Sequence, residues 1–227
     1  MRFETLGPLR VERAGADVTP PGRVQRLVLA MLLLHANRSV PVDSFFDAVW
    51  PDDPIARAQS RLPLTVHRIR ARLDDPARLS FEPGGYVLHV AEDESDVAGF
   101  DRLTACLRDD RLPPDEIVRI TTKALGLWRG EPLEDVVELG DAAEVLRWID
   151  RRRWVIQTWC EAQLQRGCQA EVIDRATADL AREPLHEPFA ALLMRALHEA
   201  GRPADALVVY ERTRVALRDE LGLDPGP

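Results

Sequence analysis

The segment from Ala56 to Leu73 constrains the fold of this 227-residue chain more than any other. Its apolar residues recur every three or four positions, so they form one stripe along a helix that must face a core. They are Leu62, Val66, Ile69 and Leu73. The segment also holds five arginines and no acidic residue; the arginines are Arg57, Arg61, Arg68, Arg70 and Arg72. We therefore predict an amphipathic helix with a strongly basic outer surface.

At about 100° per residue, the outer surface of this helix divides into a crest opposite the stripe and two flanks. The crest comprises Ser60, Leu64, His67, Arg68 and Ala71. Arg61 and Arg72 lie on one flank, and Arg70 lies on the other. In a helix that recognises DNA, the crest meets base edges and the flanks meet phosphates. The predicted DNA contacts are Arg61, Leu64, Thr65, His67, Arg68, Arg70, Arg72 and, from a hairpin that follows, Gly85.

The elements around this helix favour a winged helix-turn-helix over residues 1–92. Short strand-like pieces come first, and helical patterns over Gly22–Ala36 and Asp43–Trp50 follow. After the basic helix, Leu79–Glu82 and Tyr86–Val90 form a predicted hairpin around Pro83-Gly84-Gly85, which would be the wing. A basic helix alone is more often a solvated surface, but two helices before it and a hairpin after it make DNA binding the better interpretation.

Residues 96–227 predict an all-α domain of helical repeats, so the whole chain is mainly α with a small β component. The expected helices are Val97–Arg108, Pro114–Trp128, Ala142–Arg166, Ala170–Arg182, Glu187–Ala200 and Pro203–Leu221. Gly167 and Gly201 are 34 residues apart, as are Ala170 and Ala204. This spacing is the period of a tetratricopeptide repeat, a fold that usually binds proteins.

The formal net charge of -8 argues at first against a nucleic-acid partner, because phosphates attract basic proteins. Residues 1–90, however, hold 12 arginines and 10 acidic residues, whereas residues 91–227 hold 18 basic and 28 acidic residues. The negative charge thus belongs to the predicted repeat domain, which we expect to contact proteins and not DNA.

A second basic cluster, Arg151-Arg152-Arg153, stands between Trp148 and Trp154, and Trp159 follows. Interleaved aromatic and basic residues can bind single-stranded nucleic acid. At helical spacing, the better interpretation is that the tryptophans belong to a core and the arginines to a solvated surface.

Motifs in a fixed order along the whole chain resemble the Streptomyces antibiotic regulatory protein (SARP) family. In the first half they are Val24-Gln25-Arg26, Leu33-Leu34-His35-Ala36-Asn37-Arg38, Asp47-Ala48-Val49-Trp50, Val66-His67-Arg68-Ile69-Arg70 and Gly84-Gly85-Tyr86. Segments similar to the family's bacterial transcriptional activation domain are Ala124-Leu125-Gly126-Leu127-Trp128-Arg129-Gly130 and Asp219-Glu220-Leu221-Gly222-Leu223-Asp224-Pro225. One departure is Pro63, which predicts that the basic helix begins near Arg61 or Leu62 and leaves Arg57 in the preceding loop.

The resemblance implies a pathway-specific activator of antibiotic and other secondary-metabolite genes. Such an activator binds direct repeats near the promoter −35 region and recruits RNA polymerase holoenzyme through the sigma factor and the C-terminal domain of the polymerase α chain. Direct repeats would place two copies side by side on one face of the DNA, about one helical turn apart.

Other classes of protein function find little support in the sequence. The phosphate-binding GxxxxGK[ST], HExxH and GxSxG motifs are absent, and the five histidines are scattered, so we expect no catalysis, cofactor or metal. No apolar run is long enough to cross a bilayer, so we expect a cytoplasmic, nucleoid-associated protein. The alternative function is a helical-repeat scaffold whose winged helix makes protein contacts only.

Overall fold

The computed structural model describes residues 1–109, 111–140 and 142–226, with the side chains of Ile55 and Ala56 outside this description. Pro227, the last residue of the predicted repeat domain, also lies outside it. The described chain is mainly helical with small antiparallel sheets, as the sequence predicts. It forms two compact units, one from described residues of 1–103 and 124–151, the other from those of 104–123 and 152–227. The predicted boundaries at 92 and 96 stay a prediction, because these units follow a different division.

The first unit begins with three antiparallel strands, β1 (Arg2–Glu4), β2 (Arg10–Arg13) and β3 (Ala16–Asp17). Helices α1 (Arg23–Leu34), α2 (Val42–Val49) and α3 (Ile55–Arg70) follow, and then the hairpin of β4 (Leu79–Glu82) and β5 (Gly85–Leu88). Except at the start of α3, these bounds agree with the predicted elements to within a few residues.

Helix α1 is the centre of the first unit because all residues from Leu27 to Leu34 are buried. Both α2 and α3 pack against it, as does β5. Phe45 of α2 and Leu88 of β5 are fully buried in the same unit. Helices α1 and α2 thus pack against one side of α3, and the opposite side of α3 is left to solvent.

A buried carboxylate connects β1 to the start of the next helix, α4 (Asp96–Cys106). Asp96 accepts hydrogen bonds from the backbone N–H groups of Thr5 and Leu6, both at 2.8 Å, and from the Thr5 hydroxyl at 3.2 Å. Burial raises the pKa of Asp96, and these hydrogen bonds oppose the rise. The interaction fixes the first strand of the unit through a residue about 90 positions away.

The remaining helices have the bounds α5 (Pro114–Leu125), α6 (Ala143–Gln165), α7 (Gln169–Arg182), α8 (Glu187–Glu199) and α9 (Pro203–Leu221). In the second unit, α7 packs against α8 and α8 against α9. Ala176, Leu193 and Leu197 form a buried cluster there, with Ala206 and Val209 packed against it.

The 34-residue spacing corresponds to a repeated helix cap. Gly167 and Gly201 both take the left-handed conformation, with φ of 75° and 74°. The next residue in each case donates its N–H to a carbonyl five positions earlier, Cys168 to Gln163 at 2.9 Å and Arg202 to Leu197 at 2.8 Å. This is the hydrogen bond of a Schellman cap, for which glycine is preferred because it lacks a Cβ.

Candidate nucleic-acid interface

The apolar stripe of α3 is buried as the sequence predicts. Leu62, Val66, Ile69 and Leu73 are almost fully inaccessible, and Ala58 extends the stripe by one turn toward the N-terminus of the helix. Since α1 and α2 pack against this helix, its rotation about its own axis is fixed. The crest is therefore held in one orientation.

The crest lies in solvent. Leu64 is 51% exposed, and the other crest residues are exposed as well; they are Ser60, His67, Arg68 and Ala71. Within the described part of the chain, no hydrogen bond or ion pair engages the Arg68 guanidinium. An exposed leucine can contact thymine methyl groups, and an exposed arginine can donate two hydrogen bonds to guanine.

The predicted start of this helix near Arg61 is wrong, because α3 begins at Ile55 and includes Pro63. Proline has no N–H to donate to the Gln59 carbonyl, which costs the helix one backbone hydrogen bond. Ala58 and Leu62 are both buried, so packing on either side of that bond holds the helical path. Arg57 consequently lies in the first turn of the helix and not in a loop, and its backbone N–H donates to the Pro54 carbonyl at 2.8 Å.

The flanking arginines differ in how the protein engages them. Arg61 pairs with Asp53, which lies just before the helix. Arg70 is half-buried, and its Nε donates to the Leu79 carbonyl at 2.7 Å. Arg72 is half-buried as well, with a hydrogen bond of 3.4 Å to the Val18 carbonyl. Each of them still has guanidinium N–H groups beyond those used in these contacts.

Two predicted contact residues have packing roles. Thr65 is buried, and its hydroxyl donates to the Arg61 carbonyl of the same helix at 3.0 Å. Gly85 is buried with φ of +145°, and a Cβ there would stand 1.9 Å from the Val40 carbonyl oxygen. Tyr86 exchanges two backbone hydrogen bonds with Val40, of 2.9 and 3.0 Å, so the hairpin and this segment must approach closely. We correct both assignments, since neither residue offers an accessible group to a ligand.

The exposed tip of the hairpin is instead Pro83-Gly84. Close to it, Phe81 is 64% exposed and makes an edge contact with Tyr86, with ring centroids 5.0 Å apart. Strand alternation places Phe81 on the same side as the buried Leu79, so the sequence pattern carries no signal of its exposure.

An ion-pair cluster fixes the base of the hairpin. Arg78 contacts Glu94 at 2.6 Å and Asp74 at 2.8 Å, and the amino group of Met1 lies 3.3 Å from Glu94. Burial would raise the pKa of Glu94, but hydrogen bonds from Arg78 and from the Ala91 N–H lower it to about 2. The hydrogen bond that Arg78 donates to Glu94 in turn raises the pKa of Arg78.

Metal ligands and the buried cysteine were compared with the requirements of a metal centre and of a reactive thiol. No group of three or more His, Cys, Asp and Glu side chains among them could hold a metal ion. Burial raises the pKa of the Cys160 thiol to about 12, so this cysteine is not a nucleophile at neutral pH. None of the described helices combines the length and apolar character needed to span a bilayer.

Comparison with known proteins identifies the family. Residues 95–227 match the bacterial transcriptional activator domain. The whole chain is 36% identical to the regulatory protein AfsR of Streptomyces coelicolor, of which it covers 23%. Nearly the whole chain is 34% identical to the regulatory protein DnrI of Streptomyces peucetius, of which it covers 88%. The chain thus spans about a quarter of the length of AfsR and most of DnrI.

A solved structure agrees with these relatives. Mycobacterium tuberculosis EmbR, determined in complex with a low-affinity phosphopeptide, superposes on the whole chain with a TM-score of 0.87 at 29% identity, and the match covers 62% of EmbR. The family-domain match, the relatives and this structure lead to the same assignment. The chain belongs to the Streptomyces antibiotic regulatory protein (SARP) family of transcriptional regulators, which the motifs of its sequence resemble.

Proposed function

We propose that this chain is a sequence-specific DNA-binding activator in which α2, α3 and the β4–β5 hairpin act as a winged helix-turn-helix. Helix α3 would enter the major groove with Leu64, His67 and Arg68 against base edges. Arg61, Arg70 and Arg72 would contact phosphates. The observation that carries this proposal is the exposed crest of α3, which has no acidic residue and whose Arg68 has no partner within the described part of the chain.

The second part of the proposal concerns the helices from α4 onward. We propose that they form a tetratricopeptide-like repeat domain. This domain would contact RNA polymerase holoenzyme through its sigma factor and the C-terminal domain of its α chain. The repeated glycine caps at Gly167 and Gly201 support the repeat arrangement, and the acidic balance of this half suits protein contacts over DNA contacts. Two copies would bind direct repeats near a −35 region side by side and activate genes for antibiotic biosynthesis.

Footprinting tests the first part. The purified protein is applied to promoters of neighbouring biosynthetic genes with and without RNA polymerase holoenzyme. We expect two protected blocks one helical turn apart on the same DNA face, extended toward the start site when polymerase is present. Protection that is uniform along each promoter would contradict sequence-specific binding.

Substitution of Arg68 then assigns the contact. Arg68→Ala should weaken promoter binding by ~1–3 kcal/mol, about 5- to 150-fold, and relax the base preference at one position of each repeat. Arg147→Ala is the matched control, because Arg147 is also an exposed helical arginine but pairs with Glu144 at 3.0 Å. Equal affinity of wild type and Arg68→Ala would overturn the proposed role of α3.

A protein-interaction scaffold is the second candidate, and the exposed apolar residues of α9 favour it. Leu207 is 68% exposed, and Val208 and Tyr210 on the same helix are exposed too. Under the activator proposal, Leu207→Ser should leave DNA affinity unchanged and lower transcription from the footprinted promoter in vitro. If the chain is only a scaffold, no variant of the α3 crest will change its affinity for DNA.

A further inference from the structure

The arginines of residues 1–90 fall into two groups when their ion pairs are compared. Seven of the 12 pair with a carboxylate: Arg2, Arg10, Arg23, Arg26, Arg57, Arg61 and Arg78. Among the described residues, no acidic partner is found for the other five, which are Arg13, Arg38, Arg68, Arg70 and Arg72. Their positive charge is therefore not neutralised by a contact within the described part of the protein.

Three of these five arginines line one open depression on the first unit. Arg13 comes from β2, whereas Arg68 and Arg72 come from the end of α3 and the residues just after it. His67 and Gln25 contribute further polar groups, and Val18, Pro21 and Ala71 complete the lining. Of the residues described, no aspartate or glutamate takes part in this lining. We call this depression the Arg13 groove.

Backbone carbonyls hold two arginines of the groove, Arg13 and Arg72. Arg13 Nη1 donates to the Leu73 carbonyl at 3.3 Å, which links β2 to the end of α3. Arg72 Nη1 donates to the Val18 carbonyl at 3.4 Å, which links the end of α3 back to the chain after β3. A guanidinium has five N–H donors, so each arginine keeps donors for a ligand. Because these contacts restrict both side chains before any ligand arrives, less conformational entropy is lost on binding.

We propose that the Arg13 groove binds a backbone phosphate of duplex DNA next to the segment that α3 contacts. This inference rests on the proposed DNA-binding function and adds Arg13 and Gln25, which lie outside α3, to its contacts. Phosphate is the ligand that fits, because arginine donors form charge-assisted hydrogen bonds with its oxygens and no carboxylate among the described lining residues would repel it. A phosphate contact fixes the register of the protein on DNA and carries no sequence preference of its own.

Salt-dependent binding to mixed-sequence duplex DNA tests the groove. Arg13→Ala should lower the affinity by about 5- to 30-fold at low salt, and it should reduce the slope of log affinity against log salt by about one, since one phosphate contact is lost. Gln25→Ala should lower the affinity less and leave the slope unchanged, because glutamine carries no charge. Arg13→Lys, which keeps the charge, should retain the wild-type slope.

Arg10→Ala is the matched control, since Arg10 lies on the same strand but pairs with Glu4 and Glu12. It should bind mixed-sequence DNA with the wild-type slope. Urea unfolding of each variant shows whether it is folded. If Arg13→Ala is destabilised, the slope of log affinity against log salt for Arg13→Lys still tests the proposal. A lysine variant with the slope of the alanine variant would overturn the phosphate assignment.

The outcomes separate this inference from the function on which it rests. If Arg68→Ala loses promoter binding while Arg13→Ala behaves like Arg10→Ala, the groove is not a contact and the DNA-binding function stands. If Arg13→Ala weakens binding to the footprinted promoter alone, Arg13 contacts a base and the phosphate assignment is wrong. If neither Arg68→Ala nor Arg13→Ala changes DNA binding, the proposed function itself fails.

Discussion

Helices α3 and α6 contain the same number of arginines and use them differently. Each has four within its bounds, but α3 has no acidic residue, whereas α6 contains Glu144, Asp150 and Glu161. The resulting difference in charge is a property of the sequence. What the structure adds is the partner of each guanidinium.

Arg147, Arg151 and Arg153 of α6 pair with carboxylates within the protein. Arg151 contacts Asp101 at 2.7 Å, and Arg153 contacts Glu183 at 2.6 Å. In α3, by contrast, Arg70 contacts a backbone carbonyl and Arg68 has no partner in the described part of the chain. The charge of an arginine paired with a carboxylate is offset within the protein, whereas an arginine without an acidic partner keeps its full charge for a ligand. The number of arginines alone does not distinguish the two.

The largest effect on stability is expected when a paired arginine loses its carboxylate. Glu94→Gln removes the carboxylate that binds Arg78 and the N-terminal amino group, and it should lower the free energy of unfolding at neutral pH by on the order of 3 kcal/mol. The pKa of Glu94 is lowered to about 2 from 4.5, so its contribution is complete above pH 4.5 and is lost as the pH falls toward 2. Urea unfolding of wild type and variant from neutral pH down toward pH 2, as far as both stay folded without urea, measures the difference.

The difference in unfolding free energy between wild type and Glu94→Gln should depend on pH. The gap between wild type and Glu94→Gln should narrow as the pH falls below about 4.5, because the unfolded wild type then takes up a proton that the folded protein does not. Glu92→Gln, at an exposed position two residues earlier, should show no gap at any pH. If the difference in unfolding free energy stays constant with pH, Glu94→Gln destabilises the protein through lost packing and not through lost charge.

The sequence predicted much of the fold because its periodicity was strong. The helical spacing of apolar residues in α1, and the stripe of α3 that packs against that helix, are set by local pattern alone, as is the helix cap at Gly201. Contacts between distant segments could not be predicted from the sequence. Gly85, for example, is required by the approach of Val40, 45 residues earlier. This requirement leaves no trace in local pattern, whereas Thr65, three residues after Leu62 and four before Ile69, has the helical spacing of a buried position.

The tryptophans near Arg151 show the same limit. Trp148 is buried as predicted, but Trp154 is 40% exposed and Trp159 is half-buried, so the expectation that all three belong to a core is wrong. The arginines between them are half-buried instead of fully solvated. Helical spacing gives the direction of a side chain around the helix axis. It does not show which neighbouring elements cover that side chain.

The next largest effect is expected at Pro63, which distinguishes α3 from the proline-free α6. Pro63→Ala restores an N–H for the Gln59 carbonyl at an exposed position, so it should raise the free energy of unfolding by about 1–2 kcal/mol. Urea unfolding at neutral pH measures it, with Gln59→Ala as a control that leaves the backbone hydrogen bonds unchanged. An unchanged or lower stability would show that the helix near Pro63 depends on the constrained proline backbone.

The smallest effect is expected at Asp53, a carboxylate just before α3 that pairs with Arg57 and Arg61. Asp53→Asn should free both guanidinium groups for phosphates, so affinity for mixed-sequence DNA should rise about 2- to 5-fold and its salt dependence should become steeper. Glu144→Gln is the matched change in α6, because it frees Arg147 and should leave DNA affinity unchanged. A fall in affinity with Asp53→Asn would mean that Asp53 positions Arg61 for its contact, and the pairing of an arginine with an acid would then no longer separate a structural role from a binding one.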